Sequence, residues 1–144
     1  MRVFMDTNVW IDFILERSSY YNEAASVLSL ACDGLFEVCI SSLTVVNAHY
    51  VCVERAGMDA AIVKSKTLAL ADIVEICGVG ETDIMRAYSE EWTDFEDAVQ
   101  HASALNAYAT CIITRNKADF SLSLIPVYSP KEFLGKIYKN KKDI

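Results

Sequence analysis

Five oxygen-bearing side chains in this sequence could do chemistry together. Asp6 follows the apolar run Val3-Phe4-Met5, Asp94 and Asp97 lie at the opening of a helical stretch, and Asn116 and Asp119 follow Cys111-Ile112-Ile113-Thr114. Carboxylate and amide oxygens are the ligands that hard divalent cations prefer, and Mg2+ keeps several waters while binding only one or two carboxylates directly. Such an ion can activate water and stabilise charge on a phosphodiester, with a second ion assisting the leaving group in some enzymes. No Cys or His nucleophile is then needed. Each residue also has a plainer reading. Asp6 could cap a helix, Asp94 and Asp97 could be acids drawn to a helix N-terminus by its dipole, and Asn116 with Asp119 could form a solvated turn. Only their agreement points to a site.

For these distant positions to meet, the elements between them must form a parallel sheet. Val3-Phe4-Met5 reads as a buried strand, with Asp6-Thr7-Asn8 at the start of a helix over Val9 to Leu15. A second helix runs through Ala24, Ala25, Leu28 and Leu30 towards Gly34. Phe36 to Ile40 has strand character, and Leu43 to Glu54 is helical until Gly57. Asp59 caps a helix through Leu70, Ile73 to Ile76 is a brief strand, and Glu81 to Glu91 is helical. Phe95 to Tyr108 is a helix packing through Ala98, Ala102 and Leu105, Cys111 to Thr114 a buried strand, and Arg115 to Phe120 its polar exit. Pro126 to Tyr128 is a last strand, followed by a helix from Pro130 to Tyr138. Short apolar strands alternating with helices predict a three-layer α/β/α sandwich with a central, mainly parallel sheet. Ligands of such sheets bind beyond the carboxyl ends of the strands, an edge at which these distant positions can all meet.

Bulk properties narrow the function. The 144 residues suit one domain, expected over residues 1–138 with a basic, frayed tail over 139–144. No apolar run approaches the roughly 20 residues of a membrane span, and Met1 to Asp6 has no signal-peptide pattern, so a cytoplasmic protein without membrane contact is expected. The net charge of −7 argues against coating nucleic acid by bulk charge, but a bound divalent ion would invert the local field. The odd count of five cysteines, Cys32, Cys39, Cys52, Cys77 and Cys111, without C-x-x-C spacing, reads as reduced core residues. His49 and His101 lack a third partner and read as structural or surface residues. Trp10, Phe13, Tyr20 and Tyr21 are expected to line a core or a partner's groove, and Glu96 to face solvent. Arg115 and Lys117 flank the site and could reach phosphates.

Val3-Phe4-Met5-Asp6-Thr7-Asn8, Asp94-Phe95-Glu96-Asp97-Ala98 and Thr114-Arg115-Asn116-Lys117-Ala118-Asp119-Phe120, with Ile40-Ser41-Ser42-Leu43-Thr44 between them, resemble the signature segments of the PIN-domain family in order and separation. The resemblance implies a Mg2+- or Mn2+-dependent endoribonuclease acting on RNA, often the VapC-type toxin of a toxin–antitoxin pair with an antitoxin partner, and a homodimer. By position it implies metal ligands at Asp6, Asp97 and Asn116, with Asp119 able to serve in place of Asn116 and Asp94 as an additional acid. It implies supporting roles for Thr7, Asn8 and Thr114. One departure stands out: where many members carry Glu, this sequence has Asn47, as in a resembling subgroup. An amide is an oxygen ligand without charge, so weaker metal binding is expected.

Three competing functions have identifiable discriminants. A catalytically weak PIN-like module that acts by binding a partner protein would follow from the charge lost at Asn47. A haloacid-dehalogenase-like phosphatase needs a second Asp two residues after the first, and Asn8 stands there. A receiver domain needs an acidic pair before a mid-chain Asp and a Lys after a late strand, and neither occurs at a suitable place.

Overall fold

The computed structural model describes residues 1–143. Five strands, β1 (Arg2–Met5), β2 (Glu37–Ser41), β3 (Val74–Cys77), β4 (Cys111–Ile113) and β5 (Val127–Tyr128), form one parallel sheet in the order β3-β2-β1-β4-β5. Seven α-helices fill the connections: α1 (Thr7–Ile14), α2 (Tyr21–Cys32), α3 (Ser42–Tyr50), α4 (Ala60–Ala69), α5 (Glu81–Ser89), α6 (Phe95–Asn106) and α7 (Pro130–Lys142).

A parallel sheet is apolar on both faces, and alternation along each strand assigns the layers. Val3 and Met5 of β1, Val38 and Ile40 of β2, and Cys111 and Ile113 of β4 join Val9, Trp10, Val27, Leu28, Val63 and Phe133 in one core, so α1, α2, α4 and α7 cover that face. Phe4, Cys39 and Ile112 point the other way, against Ala104 of α6 and Phe120. α5 packs against α6, through a smaller cluster of Ala87, Ala98 and Val99 with Leu43 of α3 partly buried against it. The expected three-layer sandwich is therefore the observed one.

Helix starts are set by short polar side chains that accept from otherwise unpaired N–H groups. Asp6 caps α1, Ser41 α3, Asp59 α4, Asp94 α6 and Ser129 α7. Ser129 and Glu132 form a reciprocal capping box at 3.1 and 2.9 Å. Gly34, with φ +78°, takes the left-handed conformation that ends α2.

The structure departs from the sequence reading in three places. The helix expected over Leu43 to Glu54 ends at Tyr50 and continues as a π-helical turn, Val51–Arg55. The expected basic tail is helical as far as Lys142, because Lys139, Lys141 and Lys142 complement the negative end of the α7 dipole; Ile144 lies outside the described residues. Cys32 is exposed at the end of α2, whereas Cys39, Cys52 and Cys111 are buried and Cys77 is half-buried, all as free thiols. Of the first-helix aromatics, Trp10 is buried in the core as expected, Phe13 stacks on Tyr21, and Tyr20 lies under Arg115 while remaining exposed. Among the described residues no helix is long and apolar enough to cross a membrane.

Phe133 anchors α7, with its ring edge-on to Phe36 at 5.0 Å. Phe133→Ala is expected to lower the unfolding free energy by about 3–5 kcal/mol, measured by urea denaturation. Val46→Ala on the exposed face of α3 should stay within about 0.5 kcal/mol.

Candidate metal centre

The site is built around Asp6, at the carboxyl end of the central strand and 6% exposed. Its backbone N–H donates to the Ile113 carbonyl at 2.9 Å, extending the β1–β4 ladder by one residue and setting Asp6 beside Thr114. The Thr114 hydroxyl donates to Asp6 Oδ2 at 2.8 Å, and the Thr7 N–H donates to Oδ1 at 2.8 Å. Burial pushes the Asp6 carboxyl above its ordinary range and the nearby charge of Glu96 adds to this, while bonds from Thr114, Thr7 and Gln100 oppose it. Thr114 also accepts from Asn8 Nδ2 at 3.3 Å and from the Asn116 N–H at 3.1 Å, and Asn8 Oδ1 accepts from the Arg115 N–H at 3.3 Å.

Gln100 joins the elements around Asp6. It lies one turn after Asp97 on α6 and is fully buried. Its Nε2 donates to Thr7 Oγ1 at 2.9 Å and Thr44 Oγ1 at 2.7 Å and approaches Asp6 Oδ1 at 3.4 Å, while its Oε1 accepts from the Ser41 hydroxyl. Sequence reasoning missed Gln100, Ser41 and Thr44. A signal existed for Gln100: a long amide flanked by Ala98, Val99 and Ala102 on a packing face must find partners when buried.

The acids gather beside this network. Asp94 caps α6 by accepting from the Asp97 N–H at 3.0 Å. The Asp97 carboxyl is pushed up to about 7, chiefly by burial and then by the charges of Asp6, Asp94, Asp119 and Glu96. Asp119 lies in the 3-10 turn Lys117–Phe120, and Asn116 precedes that turn with its side chain exposed. Glu96 is exposed as expected, but it accepts a bond at 3.0 Å from Asn47 Nδ2 across on α3. A cleft of about 580 Å3 opens here, lined by Thr7, Arg17, Asn47, Tyr50, Arg55 and Glu96. A larger depression of about 960 Å3 lies around Met1, Arg2 and Glu37 at the opposite, amino end of the sheet, away from these acids.

The two basic residues expected to meet phosphates are engaged within the chain. Arg115 donates to both oxygens of the buried Asp12, at 2.6 and 3.3 Å, and lies over the Tyr20 ring at 4.1 Å. Arg17 reaches the same carboxylate at 3.2 Å. A buried carboxylate demands such partners, and Asp12 was not distinguished in the sequence. Lys117 pairs with Glu132 at 3.0 Å. His49 is exposed and His101 buried, its Nε2 accepting from the Leu124 N–H at 3.1 Å.

Among the described residues no group of three or more His, Cys, Asp or Glu side chains is placed to hold a metal ion. The donor set nevertheless fits a hard divalent ion. Mg2+ takes one or two carboxylates and fills its remaining positions with water, which suits an open edge. The repulsion that raises Asp97 is also what a bound cation relieves.

A sequence pattern described as the PIN domain matches residues 2–118, spanning β1 to the turn after β4 and ending one residue before Asp119. No curated protein sequence matches the chain. Among solved structures, VapBC2 from Rickettsia felis, bound to a DNA fragment from its promoter, has a TM-score of 0.66 at 14% identity, covering 90% of this chain and 98% of that one. A toxin–antitoxin complex from Klebsiella pneumoniae has a TM-score of 0.66 at 23% identity, covering 89% and 97%. VapC20 from Mycobacterium tuberculosis, a sarcin-ricin loop cleaving toxin, has a TM-score of 0.59 at 18% identity, covering 76% and 86%. At these identities the structures share the fold. With the pattern matching most of its length and carrying Asp6, Asp94, Asp97 and Asn116, this chain belongs to the PIN-domain family.

Proposed function

We propose that this PIN domain is a Mg2+- or Mn2+-dependent endoribonuclease. The observation that carries the proposal is the gathering of the charges of Asp6, Asp94, Asp119 and Glu96 around the Asp97 carboxyl, with none of these five acids paired to an Arg or Lys among the described residues. Asp6 and Asp97 would hold the ion, with Asn116 or Asp119 completing the protein's share. When bound, the ion supplies an activated water and neutralises charge on the phosphodiester.

The chain's own groups prepare that edge. Thr114 and the Thr7 N–H fix both oxygens of Asp6, so its carboxylate cannot turn away. Gln100 holds Thr7 and Thr44 in register, coupling the starts of α1, α3 and α6. Asp94 fixes the first turn of α6 and thereby the origin of the Asp97 side chain. Burial and the neighbouring acids keep the Asp97 carboxyl protonated to higher pH than an ordinary carboxyl, up to about 7. For Arg115 to bind a phosphate it would have to exchange Asp12 for it.

The toxin role, an antitoxin partner, a homodimer and cytoplasmic action belong to the same proposal. Their support is that structural neighbours include toxin–antitoxin complexes, and that Met85, Tyr88 and Phe95 expose an apolar face suited to another protein chain. A second reading, partner binding without turnover, is favoured by the amide at position 47.

Purified protein incubated with labelled single-stranded and structured RNAs should cleave only with Mg2+ or Mn2+, and both EDTA and the Asp6→Ala, Asp97→Ala double variant should abolish cleavage. No cleavage together with no calorimetric metal binding would leave the partner-binding reading standing.

The raised Asp97 carboxyl gives a stability prediction with a fixed sign. Because its folded value of about 7 exceeds 3.8, its protonation contributes stability that is full below about 3.8 and lost as pH rises through about 7. Metal-free protein should therefore lose stability relative to Asp97→Asn between pH 4 and pH 8, by urea denaturation. Saturating Mn2+ should reverse that relative loss for the parent and not for the variant, and Mn2+ titration near pH 7 should release protons.

A further inference from the structure

We propose that Glu96 supplies the negative charge that position 47 lacks, and that Asn47 is the positioning residue that holds it at the metal edge. The inference rests on the metal-dependent reading above. A carboxylate in the first turn of a helix is ordinarily a solvated group favoured by the dipole, and one position before Asp97 the spacing directs Glu96 away from that residue. Beside Asp94 and Asp97 it would also be repelled outward. Asn47 Nδ2 counters this by donating to Glu96 Oε1 at 3.0 Å from a different helix, a charge-assisted bond. Both residues line the cleft that they share with Thr7, the residue after Asp6, and with Arg17 and Arg55. The charge of Glu96 is felt at Asp6 and at Asp97, so it belongs to the same electrostatic unit.

The amide at position 47 then has a physical reason. A carboxylate there would face the Glu96 carboxylate at hydrogen-bond distance with nothing to donate between them. Asn47 and Glu96 together do the work of one acid: the amide provides the donor and a neutral oxygen, and the neighbouring helix provides the charge. The pair should therefore be exchangeable only as a pair. Asn47→Glu alone sets two carboxylates against each other, Glu96→Gln alone removes the charge, and both changes together restore one acid and one amide with the roles reversed.

The test is calorimetric titration of the full chain with Mn2+ at pH 7.5, with circular dichroism melts confirming that each variant folds. Glu96→Gln is expected to weaken Mn2+ binding about tenfold or more, the scale of losses around metal sites. The Asn47→Glu, Glu96→Gln double variant is expected to recover to within about threefold of the parent, a strongly non-additive result. If the double variant does not fold, Asn47→Ala serves instead, and should weaken Mn2+ binding as Glu96→Gln does, with no further loss when the two are combined. Unchanged Mn2+ affinity in Glu96→Gln would overturn the inference while leaving the metal reading intact. Failure of the parent to bind Mn2+, or binding indifferent to Asp6→Asn, would overturn both.

Discussion

The burial of the Asp6 charge at the end of the central strand is the constraint around which the site edge is arranged. An ionised carboxylate removed from water is costly unless hydrogen bonds replace its hydration. Those bonds come from a different element on each side: the Thr7 N–H at the start of α1, and the Thr114 hydroxyl beyond β4. The pairing of Met5 with Ile113 brings Thr114 alongside, so the β1–β4 register and the solvation of Asp6 are one requirement. A slip of one residue would turn the core-facing side chains of β4 to the wrong face and leave Asp6 without its hydroxyl partner.

Gln100 extends the same constraint across the layers. It ties α6 to Thr7 of α1 and to Ser41 and Thr44 at the start of α3. A polar network inside an apolar sandwich is favourable when its members are satisfied, and it then fixes geometry more sharply than apolar contacts do. The contrast lies on the same helix. The Nδ1 of His101 and the Oγ of Ser103 are buried without partners, as is the Nε1 of Trp92 that packs on His101 at 4.9 Å. Polar satisfaction in α6 is thus concentrated on the turn that faces Asp6.

Charge is arranged so that the site edge stays acidic. Asp12, Glu37, Glu75 and Glu132 are each paired with Arg or Lys elsewhere in the chain. Asp6, Asp97 and Asp119 have no such partner among the described residues, and the Asp97 carboxyl is raised chiefly by burial and further by the neighbouring acids. The pairing of Arg115 with Asp12 belongs to the same division, since it removes a cation that would otherwise compete at that edge.

The sequence by itself determined the sandwich, the strand and helix order, and the family, because these follow from local patterns: apolar runs, spacing and short polar side chains at helix starts. It also singled out Asp6, Asp97 and Asp119, whose charges meet in the fold. Tertiary structure alone decided what those residues touch. That Gln100 is the hub, that Arg115 answers Asp12, and that Asn47 reaches Glu96 all depend on which faces of α1, α3 and α6 are turned towards one another. Such contacts join positions dozens of residues apart through side-chain directions, and spacing along one helix carries no information about its neighbour. The π-helical turn after Tyr50 and the helical continuation to Lys142 were hidden for a related reason: both are ways of ending a helix, where small local preferences are settled by packing and by the field at the helix terminus.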